Sequence, residues 1–214
     1  MSTFRRLIAV TLCSGALAGV ILSAIQHFTV VPLIEAAERY ETEDEHHGAE
    51  WKPETGRERT GWTVVTTVLT GIGFAALLFG FLGLSGRKIT IKNGVLWGLA
   101  AFACFHLAPS LGLPPMPPGV PVSDVQSRQL WWTCAVLSAA AALWLMTRRK
   151  WMQRIAGVVV LAAPHLVGVT AVVGDNAVPP ELMRNFAAAS LASVAIFWIL
   201  VGGIGGYLSS RWSD

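Results

Sequence analysis

A chain of 214 residues that is 53% apolar and only 14% charged falls outside the composition of a soluble domain, where roughly a quarter of the residues carry charge. Its net charge of +3 comes without a basic helix or a groove-sized basic patch, which excludes nucleic-acid binding. The charged residues sit in short stretches, so uncharged windows of about 20 residues, long enough to cross a bilayer core, recur throughout and leave no room for a large soluble domain.

These windows predict an all-α, polytopic membrane helix bundle: one transmembrane domain over residues 1–214, with six transmembrane helices at about 7–34, 62–84, 94–111, 130–146, 155–173 and 186–208. None of the six contains Asp, Glu, Lys or Arg, as insertion requires when each such residue at a helix centre costs about 2.5 to 3.5 kcal/mol. Lipid cannot satisfy backbone N–H and C=O groups, and the continuous apolar runs lack the two-residue alternation of a membrane barrel, so helices follow. The spans suggest three pseudo-repeated hairpins.

The first span follows Arg5 and Arg6 like a secretory signal. It is far longer than a signal's apolar region of about 7 to 15 residues and lacks a small-x-small cleavage site, so it reads as an uncleaved anchor. It carries His27 and ends near Pro32. The hydrophilic loop at 35–61 then places Glu35, Glu38, Glu41, Glu43, Asp44, Glu45 and Glu50 around His46 and His47. Carboxylates and imidazoles at an outer surface concentrate divalent cations. His46, His47, Glu35 and Glu38 are therefore candidate collecting ligands, against the plainer reading of a solvated acidic loop.

The third span carries His106 and runs into residues 108–127, where Pro109, Pro114, Pro115, Pro117, Pro118 and Pro121 accompany a single acidic residue, Asp124. Proline fixes the backbone and removes a donor, so this segment is expected to be a non-helical, stiff connection, a lid or vestibule wall at the outer helix ends. Trp131 and Trp132 open the fourth span and read as interfacial anchors, like Trp62. Arg128 beside them reads as a partner for outer carboxylates. The fifth span holds Pro164 and His165, and Gly202, Gly203, Gly205 and Gly206 in the sixth read as a packing face, since no strand and no Lys accompany them as in a phosphate loop.

Charge sets the orientation. With the N-terminus inside, the inner segments hold Arg5, Arg6, Arg87, Lys88, Lys92, Arg148, Arg149, Lys150, Arg154 and Arg211, ten of the sixteen basic residues, and the outer segments hold twelve of the thirteen acidic ones. Every short inner loop then carries the Lys/Arg excess that fixes topology, and both termini are expected to be cytoplasmic. Cys13, Cys104 and Cys134 show neither metal spacing nor a disulfide framework and read as small core residues.

Histidines within spans mark ion paths, relays or ligand sites more often than not. His27, His106 and His165 lie on the first, third and fifth spans, which run in the same direction, and each follows a glycine by eight residues: Gly19, Gly98 and Gly157. The rows Gly15, Gly19, Ser23 and Gly94, Gly98 would let helices approach closely on faces leading toward His27 and His106. Pro32, Pro109 and Pro164 near the three histidines would free carbonyls at the same level. Neutral imidazole suits first-row transition metals, so the three form a candidate metal translocation site, with Glu35 or Glu38 available above them. The plainer alternative is that each imidazole hydrogen-bonds a neighbouring helix.

Several stretches carry a family resemblance: Pro32-Leu33-Ile34-Glu35-Ala36-Ala37-Glu38-Arg39-Tyr40-Glu41, the run from Ala108-Pro109-Ser110-Leu111-Gly112-Leu113-Pro114-Pro115 to Pro118-Gly119, Arg128-Gln129-Leu130-Trp131-Trp132, and Ala163-Pro164-His165-Leu166-Val167-Gly168. In these the chain resembles the CbtA family of predicted cobalt transporter subunits of bacterial inner membranes. The resemblance implies cobalt uptake linked to cobalamin supply and a small His-bearing membrane partner of the CbtB type. It implies transported Co2+, or another divalent transition metal, and no prosthetic group. No P-loop, Ser/His/Asp set or metalloprotease motif occurs, so neither ATP hydrolysis by this chain nor any other enzymatic activity is expected, and lipid is its other partner. Two further readings stay open: a haem-binding membrane redox protein with two of the histidines as axial ligands, and a non-transporting membrane scaffold.

Overall fold

The computed structural model describes residues 3–41, 56–84, 86, 89–168 and 176–212. Among them the chain forms helices α1 (Thr3–Thr29), α2 (Val31–Ala37), α3 (Arg57–Leu84), α4 (Ile91–Phe102), α5 (Ala108–Ser110), α6 (Val125–Met146), α7 (Trp151–Val167) and α8 (Pro180–Arg211). The stretch Ile91–Ser110 is a single 20-residue apolar helix in which a π-helical turn, Ala103–Leu107, joins α4 to α5. Five helices are long and apolar enough to cross a membrane, at Phe4–Thr29, Arg57–Leu84, Ile91–Ser110, Val125–Met146 and Pro180–Arg211, and α7 is a shorter apolar helix of 17 residues. The chain is a polytopic helical bundle, as the composition requires.

Several boundaries differ from the sequence reading for local reasons. The first span does not run straight to residue 34. Proline at position 32 has no N–H to return to the carbonyl one turn back, so α1 ends at Thr29 and α2 begins with Pro32 in its first turn, where the missing donor costs nothing. Glu35 lies on α2, Glu38 opens a 3-10 turn (Glu38–Tyr40), and Arg57 to Gly61 are already helical in α3. The Pro-rich connection is likewise helical at both ends: Ala108 to Ser110 complete the third span and Val125 to Ser127 begin α6, leaving residues 111–124 as the non-helical part. Asp124 caps α6, its carboxylate accepting the Ser127 N–H at 3.0 Å.

The described chain divides into two compact units. The first comprises the described parts of Met1–Pro32, Thr42–Ala101 and Ala192–Asp214. Here α1 lies antiparallel to α3, and a Cβ added at Gly15 would sit 2.6 Å from the Ile72 Cα and one at Gly19 2.8 Å from the Val68 Cα. The α4 glycines meet α8: Gly94 abuts the backbone of Gly202, Gly98 that of Trp198, and Gly206 that of Thr90 and Ile91. Gly205 takes the Phe79 ring of α3. The glycines of the last span are thus a packing face, as their spacing predicts. Trp198, Phe79 and Val201 are fully buried. The buried hydroxyls of Ser14 and Ser23 donate to the carbonyls of Val10 and Gly19 one turn back, so neither hydroxyl is left unbonded. At one end of the unit Arg6 donates to the Trp212 carbonyl at 3.2 Å, which puts the start of α1 beside the end of α8.

The second unit comprises the described parts of Leu33–Glu41 and Phe102–Leu191. In it α6 and α7 form an antiparallel hairpin in which Gly157 packs against the Ala142 carbonyl. The π-turn lies against α6, with Phe105 and Trp132 at a ring distance of 6.2 Å, around a small core of Cys104, Ala108 and Ala139. Gly119, at φ 77°, lets the Pro-rich segment come onto the backbone of Tyr40 and Glu41, where a Cβ would be 3.1 Å from the Tyr40 carbonyl carbon. Of the three cysteines, all free, only Cys104 is a core residue; Cys13 and Cys134 are exposed, on helix faces that no described neighbour covers.

Candidate functional site

Each of the three span histidines follows a buried glycine that sets a helix contact. Gly19 meets α3, Gly98 meets α8 and Gly157 meets α6. Eight residues of helix, about 12 Å of rise, then separate each contact from its imidazole. The shared offset is therefore a packing device two turns from each histidine.

The histidines themselves differ. His27 belongs to the first unit, in the last turn of α1, and is exposed, with its ring edge-on to Phe28 at 5.1 Å. His106 belongs to the second unit and sits inside the π-turn, its ring stacked on Phe102 at 6.3 Å and an interplanar angle of 11°. The π-turn has a covalent cause. Pro109 has no N–H for the carbonyl of Phe105 four residues back or of Cys104 five back, and the Ala108 N–H bonds five residues back to Ala103. Such turns expose backbone acceptors and recur at functional sites.

His165 is the most unusual group in the molecule. It lies one residue after Pro164 in the last turn of α7, edge-on to the Trp131 ring at 5.4 Å. Both ring nitrogens are buried without a hydrogen-bond partner among the described residues. An unmet buried polar group costs about 1–3 kcal/mol. Trp131, read from sequence as an interfacial anchor, is instead only 7% exposed and donates its indole N–H to the Pro164 carbonyl at 3.0 Å. The indole thus fixes the turn that presents His165. Gly112 completes the arrangement: a Cβ there would overlap the Trp131 ring and lie 3.5 Å from His165 Nδ1.

Gly112 also lines a cavity of about 660 Å³, together with His106, Ser110, Ser123, Arg128, Gln129 and Trp132 and the prolines and apolar residues of the 109–125 stretch. The Pro-rich segment is thus a cavity wall. Arg128 lines this space and has no carboxylate partner among the described residues; several of the outer carboxylates expected to pair with it, Glu43, Asp44, Glu45, Glu50 and Glu54 among them, lie outside the described residues. Trp132 lines the cavity as well.

Among the described residues no group of three or more His, Cys, Asp or Glu side chains gathers to hold a metal. His106 and His165 share the second unit, and with them Glu35, exposed, and Glu38, half-buried. His46 and His47 lie outside the described residues. Sequence reasoning missed Gly112 and the internal role of Trp131; the Arg-Gln-Leu-Trp-Trp run and the Pro-rich run marked both places without disclosing that they meet.

The family model described as "Probable cobalt transporter subunit (CbtA)" matches residues 4–210, nearly the whole chain. No curated protein and no solved structure matches it.

Proposed function

Because the chain belongs to the CbtA family of probable cobalt transporter subunits, we propose that it carries the metal across a bacterial inner membrane past single imidazoles. His106 at the cavity and His165 behind Gly112 are the two principal stations, and His27 is a third on the first unit. The absence of a three-ligand cluster among the described residues suits this reading, because a closed shell of imidazoles would hold a transition metal too tightly to pass it on. Each station gives one nitrogen, and water or carbonyls freed beside Pro109 and Pro164 give the rest. The acidic segment, with Glu35, Glu38, His46 and His47, raises the cation concentration at the outer side. The basic turns face the cytoplasm, as the Lys/Arg asymmetry indicates.

The observation that carries the proposal is the His165 imidazole, its two ring nitrogens buried with neither bonded among the described residues. A group kept in that state at a cost is one that waits for a ligand. As a subunit the chain works with a partner; a small His-bearing membrane protein of the CbtB type and a role in cobalamin supply follow from the family resemblance alone.

The test is radiolabelled cobalt accumulation by cells expressing the chain with its partner, beside His106→Ala and His165→Ala variants whose membrane insertion is confirmed. Loss of accumulation in both variants is expected. Wild-type accumulation in either would sink its role as a station.

A further inference from the structure

We propose that the cavity of the second unit receives the metal together with a small carboxylate, as a low-charge chelate whose carboxylate Arg128 holds and whose metal His106 meets. The proposal rests on the transport reading and names the form in which the substrate arrives.

Size is the first reason. At about 660 Å³ the cavity falls in the range of roughly 300–1,000 Å³ typical of sites for small organic ligands and far exceeds what a single ion needs. Charge is the second. Among its lining residues Arg128 carries the one fixed formal charge, and none is Asp or Glu. Asp124 is nearby in sequence, but it does not line the cavity and its carboxylate is engaged in capping α6. A bare dication would enter a mostly apolar chamber beside a guanidinium, losing hydration and meeting repulsion. A di- or tricarboxylate on the metal reverses both terms: it cancels the ionic charge and offers the planar two-oxygen face that a guanidinium binds in bidentate fashion. Chemistry at the far end of the ligand is the third reason. His106 lines the same chamber, and one metal–oxygen bond to carboxylate or water would break as one metal–imidazole bond forms. No electron changes hands in that exchange, and the carboxylate stays with Arg128.

Equilibrium dialysis of the purified full-length chain in neutral detergent, with radiolabelled cobalt and differently labelled citrate, tests the assignment. Retention of both labels in equal amounts is expected. Arg128→Gln should weaken citrate retention about tenfold or more, the usual weight of a charge-assisted pair, with partial recovery in Arg128→Lys. His106→Ala should release cobalt while citrate stays. Cobalt retained equally well without citrate, or citrate retention indifferent to Arg128, would overturn the proposal. Should Arg128→Gln not fold, displacement from the wild-type chain decides: unlabelled tricarballylate should release labelled citrate, and release by phosphatidylglycerol alone would assign the cavity to a lipid headgroup and overturn the idea. Retention of both labels by a chain that fails to accumulate cobalt in cells would leave the site standing and sink the transport role.

Discussion

The two units of this chain use the same small residues for close approach but differ in the polar groups those contacts surround. In the first, glycines remove space: Gly94 and Gly202 bring two helix backbones into contact, and Gly205 takes an aromatic ring. Its buried Ser14 and Ser23 hydroxyls return to carbonyls of their own helix. In the second, Gly112 likewise admits an aromatic ring, that of Trp131, but it also lines a cavity and lies beside the His165 imidazole, whose nitrogens find no partner among the described residues. Close packing gives rigidity, and an unmet buried polar group gives a place to bind. On the proposed transport reading, the two principal stations fall in the second unit.

Filling the first unit should be the most damaging change. A side chain at Gly202 has the Gly94 backbone in its way, and backbone cannot swing aside as a flexible side chain would. Overpacking commonly costs about 1–3 kcal/mol, and more where nothing yields. Gly202→Leu should therefore abolish the monodisperse, folded species seen by size-exclusion chromatography in detergent. Gly73→Leu is the control, because a Cβ there meets nothing within 4 Å. Equal behaviour of the two variants would break the comparison.

The second unit should respond in the opposite sense at His165. Replacing the imidazole by a ring of similar shape keeps the edge contact with Trp131 and removes two unmet nitrogens. His165→Phe should thus leave stability unchanged or raise it by about 1 kcal/mol, read as the thermal midpoint in detergent, while cobalt accumulation is lost. A large loss of stability would mean that the imidazole is structural and that the contrast between the units is false.

The bundle was legible in the sequence because hydropathy is a property of windows and survives small errors of boundary. Six apolar windows became five long helices and one short one among the described residues, while the predicted end of the fifth, over 169–173, lies outside them. Pro32 split the first span, and Asp124 started α6 earlier than the charge-free window allowed. The candidate residues were legible as a set, since an imidazole in a span is conspicuous. Their environment was not. Whether Trp131 faces lipid or the Pro164 carbonyl depends on how α6 and α7 rotate against each other, which Gly157 and Ala142 decide, and no window along one helix carries that information.

Trp131→Phe sharpens the comparison on a smaller scale. It keeps the ring against His165 and deletes one hydrogen bond, to Pro164, at a cost of about 1 kcal/mol. The expected result is a slightly lower thermal midpoint with a partial loss of cobalt accumulation, because the turn presenting His165 is loosened. An unchanged rate of accumulation would show that the turn holds without the indole.

The smallest effect is expected at the acidic segment, which on the proposed reading acts through its field and not through contact. Glu35 is exposed on α2. A carboxylate in water attracts a cation only within the screening length, about 8–10 Å at moderate salt. Glu35→Gln combined with His46→Ala and His47→Ala should therefore reduce accumulation about twofold at low external cobalt and low ionic strength, and not at all when either is raised. His106→Ala, by contrast, should be insensitive to both, because a ligand in a cavity acts by bonding. If the triple variant fails at every cobalt concentration and every salt level, the acidic segment contacts the metal on its way and the division between collecting field and binding chamber is drawn in the wrong place.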